Sequence, residues 1–155
     1  MIEMFGTAGA VVVVVVTFLV FWLLCFWLVA ELGGWASLAK TFATEHPPSG
    51  ETFDWTSGKC NFISTYNNCL TVSVSDKGIR IRPMLLFRFA HKPLFIPWDA
   101  IAVMGLRREL FRYGTALEIT KPTGAHPMTL YGRPLAECLT RHAPDRLLGP
   151  PADAA

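Results

Sequence analysis

The sequence predicts an N-terminal transmembrane α-helix followed by a mainly-β soluble domain, an antiparallel sheet of about seven strands with a C-terminal helix. Residues 10–30 are apolar or nearly so, and no charged residue lies between Glu3 and Glu31. From residue 53 onward, short segments alternate apolar with polar residues, as half-buried strands do. No helical pattern separates these segments, and strands joined without crossover helices pair antiparallel.

The apolar segment Ala10–Ala30 has the length of a membrane span. Its 21 residues would rise about 30 Å as an α-helix, which matches the hydrocarbon thickness of a bilayer. Its valines favour strand in water, but a single segment in lipid satisfies its backbone only as a helix. A cleaved signal peptide is the alternative, although residues 1–9 contain no Lys or Arg and the apolar run is too long. We therefore predict a retained anchor behind a short tail, residues 1–9.

The charges beside the span favour a cytoplasmic soluble domain. Lys40 is the only Lys or Arg close to the apolar run, and basic residues mark the cytoplasmic side of a span. We therefore predict a single-pass protein of the cell (inner) membrane. The cysteines leave the compartment open, because Cys60, Cys69 and Cys138 are an odd number and a Cys60–Cys69 bridge would fit an extracytoplasmic domain.

Residues 31–52 connect the span to the soluble domain. Four apolar residues here share one helical face: Trp35, Leu38, Ala39 and Phe42. An indole just beyond a span favours the membrane–water interface. We expect a short helix over 35–44 that lies on the headgroups, with Trp35 and Phe42 as membrane-interface residues. Continuation of the membrane helix is the alternative, and the Gly33-Gly34 pair favours a bend instead.

The soluble domain, residues 53–143, contains seven predicted strands and one helix. The strands are 60–66, 69–75, 79–82, 87–91, part of 93–106, 114–120 and 126–132. The sequence DKG at 76–78 forms a tight turn between two of them. The helix covers residues 133–143, with Pro134 in its first turn, and the tail, residues 144–155, is predicted to be disordered.

Three motifs in this domain carry a family resemblance. They are YNNCLTV at 66–72, DKGI at 76–79 and RFAHKPLFIPW at 88–98. They resemble the soluble half of a family of small bacterial single-pass membrane proteins of uncharacterised activity, over roughly residues 53–105. IPWDAI is similar to a segment of bacterial PH-like and GRAM-type domains, and seven strands with a C-terminal helix match the PH-like split barrel. The resemblance implies that fold and no particular activity.

The candidate binding site is a basic face of the sheet. Four apolar residues take the core parity of the predicted strands: Ile79, Ile81, Phe87 and Phe89. Arg80, Arg82 and Arg88 then point outward together, with Lys92 close by. Guanidinium groups suit phosphate oxyanions, and the chain from residue 53 onward has 13 Lys and Arg against 8 Asp and Glu. We expect these residues to bind anionic lipid headgroups, with ordinary solvated charge as the alternative.

Other chemistries have little support in the sequence. Arg107, Arg108 and Arg112 form a second basic set that fits ordinary surface charge. His91 and Asp99 lie beside corner-forming prolines without a nucleophile motif, so we predict no enzyme. No metal motif occurs, and a net charge of +2 is small for a nucleic-acid partner. We predict no cofactor, no metal site and no nucleic-acid binding.

The sequence therefore predicts a membrane-anchored, non-enzymatic PH-like domain that docks on anionic lipid or the membrane surface. The alternative is a membrane-tethered protein-interaction or adaptor module for an envelope protein complex. Such a module would use an exposed strand edge or the groove beside the C-terminal helix. In either case the anchor raises the local concentration, so that weak contacts suffice. Lipid docking would weaken with salt, whereas capture of a protein partner would tolerate it.

Overall fold

The computed structural model describes residues 2–47, 49–61, 64–109, 112–120 and 124–146 of the 155-residue chain. These ranges contain three α-helices and seven strands. In chain order they are α1 (Ile2–Leu32), α2 (Trp35–Phe42), β1 (Glu51–Cys60), β2 (Ser64–Ser75), β3 (Gly78–Pro83), β4 (Leu94–Pro97), β5 (Ile101–Glu109), β6 (Arg112–Ile119), β7 (His126–Tyr131) and α3 (Arg133–His142).

Helix α1 is long and apolar enough to cross a membrane. An 18-residue window within Gly6–Leu32 has a mean hydropathy of 2.9, and residues 6–21 are all exposed. An exposed apolar surface of this length is what a lipid-facing helix presents. The predicted apolar helix is therefore present as a candidate membrane span. It begins at Ile2, so residues 2–9 of the predicted tail are helical.

The seven strands form one antiparallel sheet in the order β4-β3-β2-β1-β7-β6-β5. The sheet curls into a half-barrel, and α3 follows its last strand. Leu135, Cys138 and Leu139 of α3 are buried in the core that the curled sheet encloses. The predicted fold class, an apolar N-terminal helix followed by a seven-stranded antiparallel domain with a C-terminal helix, is confirmed.

The first predicted strand, residues 60–66, is wrong because it straddles a hairpin. β1 ends at Cys60 and β2 begins at Ser64. β1 itself escaped prediction because register shifts between Phe53 and Gly58 interrupt the alternation of buried and exposed side chains. The same register places Cys60 opposite Ser64 and Cys69 five residues further along β2. Both thiols are free, and no bridge joins them.

The fourth predicted strand, residues 87–91, is also wrong. A 3-10 turn occupies Leu85–Phe87, and the strand that pairs with β3 begins only at Leu94. The backbone N–H groups of Arg88 and His91 donate within the loop, to the carbonyls of Leu85 and Phe87. Local turn bonds therefore replace ladder bonds. Alternating residue types cannot distinguish the two patterns.

Helix α2 belongs to the core of the β-domain. Trp35 and Leu38 are fully buried, and Phe42 is 7 % exposed. The Trp35 ring packs against Tyr66, and its Nε1–H donates to the carbonyl of Lys92 at 3.0 Å. Trp35 and Phe42 therefore cannot lie among headgroups, and their assignment to the membrane interface is wrong. The helical period predicted an apolar face correctly, but it does not specify whether lipid or protein covers that face.

The C-terminal end of α1 is held by the β1–β2 hairpin. The Ser64 hydroxyl donates to the carbonyl of Val29 at 3.2 Å, and the Asn61 amide donates to that of Gly33 at 3.1 Å. The Val29 carbonyl also accepts the backbone N–H of Gly33 at 2.9 Å, so the Ser64 hydroxyl is its second donor, and the two side-chain bonds tie the helix end to the hairpin. Gly34 then adopts φ +79°, and this left-handed residue makes the predicted bend into α2.

Part of the predicted disordered tail is ordered. Pro144–Arg146 form a 3-10 turn, and the Arg146 side chain donates to the carbonyl of Ile101 on β5. Residues 147–155 lie outside the described residues.

Candidate anion-binding site

The candidate site is built on β3 and on the loop that follows it. Arg80 and Arg82 project from the face of the sheet opposite Ile79 and Ile81, which are buried in the core as predicted. Arg80 lies opposite Ser73 of β2 and Phe95 of β4. Arg88 comes from the β3–β4 loop. We call Arg80, Arg82 and Arg88 the arginine cluster.

Arg80 is buried, unlike the outward-facing residue that strand parity predicted. Only 8 % of it is exposed, and Arg82 and Arg88 are half-buried. The Nε and Nη1 atoms of Arg80 and the Nε atom of Arg88 are buried without a hydrogen-bond partner among the described residues. Buried polar groups in folded proteins are nearly always paired. Water or a ligand that supplies acceptors could pair with these three guanidinium nitrogens.

The charges in the cluster repel one another. Burial lowers the pKa of Arg80, and the positive charges of Arg82 and Arg88 lower it further. The three groups thus lie within electrostatic range of each other. The Arg–carboxylate pairs formed by the described residues lie elsewhere, Arg133 with Glu137 and Arg141 with Glu51.

A carboxylate lies two strands away from β3, on β1. Thr71 of β2 is opposite Arg82, and its hydroxyl donates to Oδ1 of Asp54 at 2.8 Å. Asp54 is exposed and forms none of the described ion pairs. The cluster carries the positive charge that an anion such as a phosphate group requires, and guanidinium forks bind phosphate well.

Lys92 makes a backbone contact with α2. Its carbonyl accepts the Trp35 indole, and the residue is exposed. The described contacts do not bring its ammonium group to the arginine cluster. The predicted four-residue set is thus a three-residue cluster with Lys92 at the surface nearby in sequence.

One member of the cluster, Arg88, lies in a loop segment that contacts α1. Phe87 and Phe89 flank Arg88 in the chain. The Phe87 ring centroid lies 4.8 Å from that of Phe26, and Phe89 lies 6.0 Å from Trp22. The sequence prediction placed both phenylalanines in the domain core, but Phe87 is half-buried and Phe89 is 51 % exposed.

His91 and Asp99 lie in different environments, one in the core and one at the surface. His91 is fully buried, and its Nε2 lies 2.9 Å from the Tyr66 hydroxyl. Asp99 is exposed in the 3-10 turn Trp98–Ala100 that leads into β5. The ring of His91 thus faces the core, while the carboxylate of Asp99 lies at the surface.

A second group of reactive residues was missed in the sequence. Cys138 Sγ lies 3.7 Å from Nδ1 of His142, whose Nε2 lies 3.6 Å from Asp76. This order resembles a nucleophile, a base and an orienting acid. However, Cys138 is fully buried, and burial together with Glu51 raises its pKa to about 11. A thiol protonated at neutral pH is a poor nucleophile, so this contact does not supply an activated cysteine.

Metal binding has no geometry to support it in the described ranges. No three His, Cys, Asp or Glu side chains converge there as a metal site requires.

A second surface could serve a protein partner. An open groove separates α3 from the β5–β6 hairpin, with Leu106, Tyr113, Ala136 and Thr140 among its lining residues. Arg107, Arg108 and Arg112 on the same hairpin are exposed. Arg112 lies over the Tyr131 ring, 5.8 Å from its centroid. These arginines lie on strands at the opposite edge of the sheet from β3, so they provide a matched comparison for the cluster.

Comparison of the chain with protein-family models, with curated proteins and with solved structures gave no match.

Proposed function

We propose that this chain is a membrane-anchored, non-enzymatic docking module whose β-domain binds the phosphate groups of anionic lipids through Arg80, Arg82 and Arg88. Helix α1 would be the single membrane span. The ligand would be a lipid of the leaflet that faces the domain. The bacterial origin and the PH-like relationship that the sequence resemblance implies are parts of the same proposal.

The observation that carries this proposal is the buried Arg80 guanidinium. Its Nε and Nη1 atoms have no partner among the described residues, and burial, followed by two further guanidinium groups, lowers its pKa. Repulsion between three positive charges is unfavourable when no anion lies close to them. A phosphate group would accept hydrogen bonds from the unpaired nitrogens and would neutralise the repulsion in a single step.

The position of the cluster favours a lipid phosphate over a soluble one. Arg88 lies between two phenylalanines whose rings contact Phe26 and Trp22 of the candidate span. Headgroup phosphates lie beside the end of the apolar region of a bilayer. Basic residues close to an anionic surface each contribute about 1 kcal/mol to its attraction.

We place the domain on the cytoplasmic side of the cell (inner) membrane. Lys40 follows the span, and basic residues close to a span favour the cytoplasm. The cytoplasmic leaflet also carries the anionic lipid that the cluster would bind.

The second candidate function is a tethered protein-interaction module. The groove between α3 and the β5–β6 hairpin supports it. Its partner would be another membrane protein held close by the shared bilayer. This function does not use the arginine cluster. Variants of the cluster therefore distinguish the two candidate functions.

The test uses the full chain in a neutral detergent, with an equimolar mixture of phosphatidylglycerol and phosphatidylcholine. Retained lipids are counted by native mass spectrometry. We expect the wild type to retain phosphatidylglycerol about tenfold more than phosphatidylcholine, with a preference that weakens as salt rises. The triple variant Arg80→Gln/Arg82→Gln/Arg88→Gln should lose this preference.

The matched control is Arg107→Gln/Arg108→Gln/Arg112→Gln, which removes the same charge from the other end of the sheet. It should retain the wild-type preference. An equal loss in both variants would mean that net charge alone attracts the lipid, and no loss in either would overturn the proposal. Circular dichroism of each variant confirms that the β-domain is folded. Competition by inorganic phosphate would reveal whether a soluble anion occupies the cluster instead.

A further inference from the structure

The β3–β4 loop exposes a concentrated apolar surface. Four large apolar side chains lie there, with exposed fractions of 42, 79, 62 and 51 %: Met84, Leu85, Leu86 and Phe89. We call them the apolar tip. Outside α1, the only other large apolar side chains among the described residues with comparable exposure are Trp55 and Tyr113. A contiguous exposed apolar group marks an interaction surface.

The apolar tip lies beside the candidate span. Phe87 contacts Phe26, and Phe89 lies near both Phe26 and Trp22. Counted from Ala30 at 1.5 Å per residue, Phe26 lies about 6 Å and Trp22 about 12 Å inside the apolar segment of α1. A loop that touches these two side chains lies alongside the part of α1 that would be within a bilayer.

The loop backbone is prepared for an apolar environment. The N–H groups of Met84, Phe87, Arg88, Ala90 and His91 all donate to backbone carbonyls. Unpaired backbone groups are the main obstacle to placing non-helical chain in lipid. These bonds pair five N–H groups of the loop, and within the apolar tip the described bonds include that of Met84.

We propose that the apolar tip inserts into the hydrocarbon of the leaflet beside α1, as a second membrane contact of the chain. The acyl chains of that leaflet would surround the inserted side chains. Arg88 lies between Phe87 and Phe89 in the chain, so on insertion its long side chain would have to reach back to the headgroups. Two contacts, the span and the loop, then fix the orientation of the β-domain on the membrane. This inference rests on the aromatic contacts and the apolar tip, and it does not require the arginine cluster to bind an anion.

The test measures the depth of a probe on the loop. The full chain would carry Leu85→Cys in a background with Cys25→Ala and Cys69→Ala. The remaining thiols are buried, and burial raises the pKa of Cys60 to about 12 and that of Cys138 to about 11 with a contribution from Glu51, so both react slowly. The new thiol is labelled with the environment-sensitive dye NBD, and single copies are placed in phosphatidylcholine nanodiscs.

The matched control is Lys77→Cys in the same background. Lys77 is exposed in the β2–β3 turn, at the opposite end of β3 from the loop. At about 3.3 Å per residue, the six-residue strand separates the two sites by about 20 Å. Both labelled proteins are titrated with lipids that carry a doxyl quencher on carbon 5 of the acyl chain.

We expect doxyl lipids to quench the dye at position 85 at least fivefold more than at position 77, with emission shifted to the blue. Equal, weak quenching at both positions would overturn the inference. Blue-shifted emission without quenching would mean that protein covers the tip, and this also overturns it. Because phosphatidylcholine has no net charge, this result is independent of the lipid preference measured for the arginine cluster.

Discussion

The hydroxyl of Tyr66 and Nε2 of His91 lie 2.9 Å apart inside the core of the β-domain. Trp35 of α2 covers both rings, with centroid distances of 5.3 and 5.5 Å. The contact joins β2, the β3–β4 loop and α2, which are far apart in the chain. It therefore couples the candidate site loop to the core of the domain.

The His91 environment predicts a stability that falls in acid. Burial lowers the pKa of His91 below its ordinary value of 6.5, so the folded state binds this proton less readily than the unfolded state. The stabilisation is fully present above about pH 6.5 and is lost as the pH falls towards the folded-state pKa. The loss is at most about 1.4 kcal/mol per pH unit for one group.

Urea unfolding of the full chain in neutral detergent at pH 7.5 and pH 5.0 would measure this loss. The variant His91→Gln keeps a polar partner for Tyr66 but does not titrate, so its stability should change less between the two pH values. If the stability of His91→Gln changed between the two pH values as much as that of the wild type, other groups would cause the pH dependence.

The burial of Trp35 predicts that α2 is essential to the β-domain. Trp35→Ala should lower the free energy of unfolding by about 3–5 kcal/mol, as is typical of a buried Trp. Trp27→Ala is the control, because Trp27 is 53 % exposed on α1, and it should change that free energy by less than about 0.5 kcal/mol. If urea unfolding gave equal losses of unfolding free energy for the two variants, Trp35 would lie at the membrane surface and not in the core.

Gly33 predicts how closely α1 must approach the β1–β2 hairpin. A Cβ at this position would lie 1.9 Å from Oγ of Ser64 and 2.6 Å from the carbonyl oxygen of Val29. Gly33→Ala should therefore destabilise the junction by about 1–3 kcal/mol and speed hydrogen exchange in the hairpin. Gly105→Ala meets nothing within 4 Å, and it should leave that exchange unchanged. Wild-type exchange rates in Gly33→Ala would contradict the close approach.

Repulsion within the arginine cluster predicts a gain in stability when one charge is removed. Arg88→Gln should raise the free energy of unfolding in neutral detergent by about 1 kcal/mol, because it relieves the positive charge near Arg80. Anionic lipid should then stabilise the variant less than the wild type. Arg108→Gln, on the exposed hairpin, should behave as wild type in both measurements. A loss of stability in Arg88→Gln would mean that the cluster is satisfied without an anion.

Much of the fold could be predicted because its signals are local. The apolar run at residues 10–30 predicted α1, and alternation of residue types predicted β3, β6 and β7 within a few residues. Pro134 and the apolar side of the last segment predicted α3. The two misplaced strands, at 60–66 and 87–91, lie where a bulged strand or a turn disturbs or imitates the alternation.

The candidate site was predicted in composition but not in environment. Residue type and parity identified Arg80, Arg82 and Arg88, and phosphate chemistry followed from guanidinium groups. That Arg80 is buried with unpaired nitrogens depends on Arg88 and on neighbouring strands, and no short segment contains that information. The Cys138–His142–Asp76 contact escaped for the same reason, since it joins α3 to a distant turn.

The sequence by itself determined where the apolar helix lies, that the rest is an antiparallel sheet, and which residues carry positive charge. Hydropathy and period are properties of neighbouring residues, so a single chain segment is enough to reveal them. Only the tertiary structure decided that Trp35 is in the core, that Arg80 is desolvated, and that Phe87 meets Phe26. These depend on contacts between residues up to about 60 positions apart, and the free energy of burial is set by whatever surrounds a side chain in space.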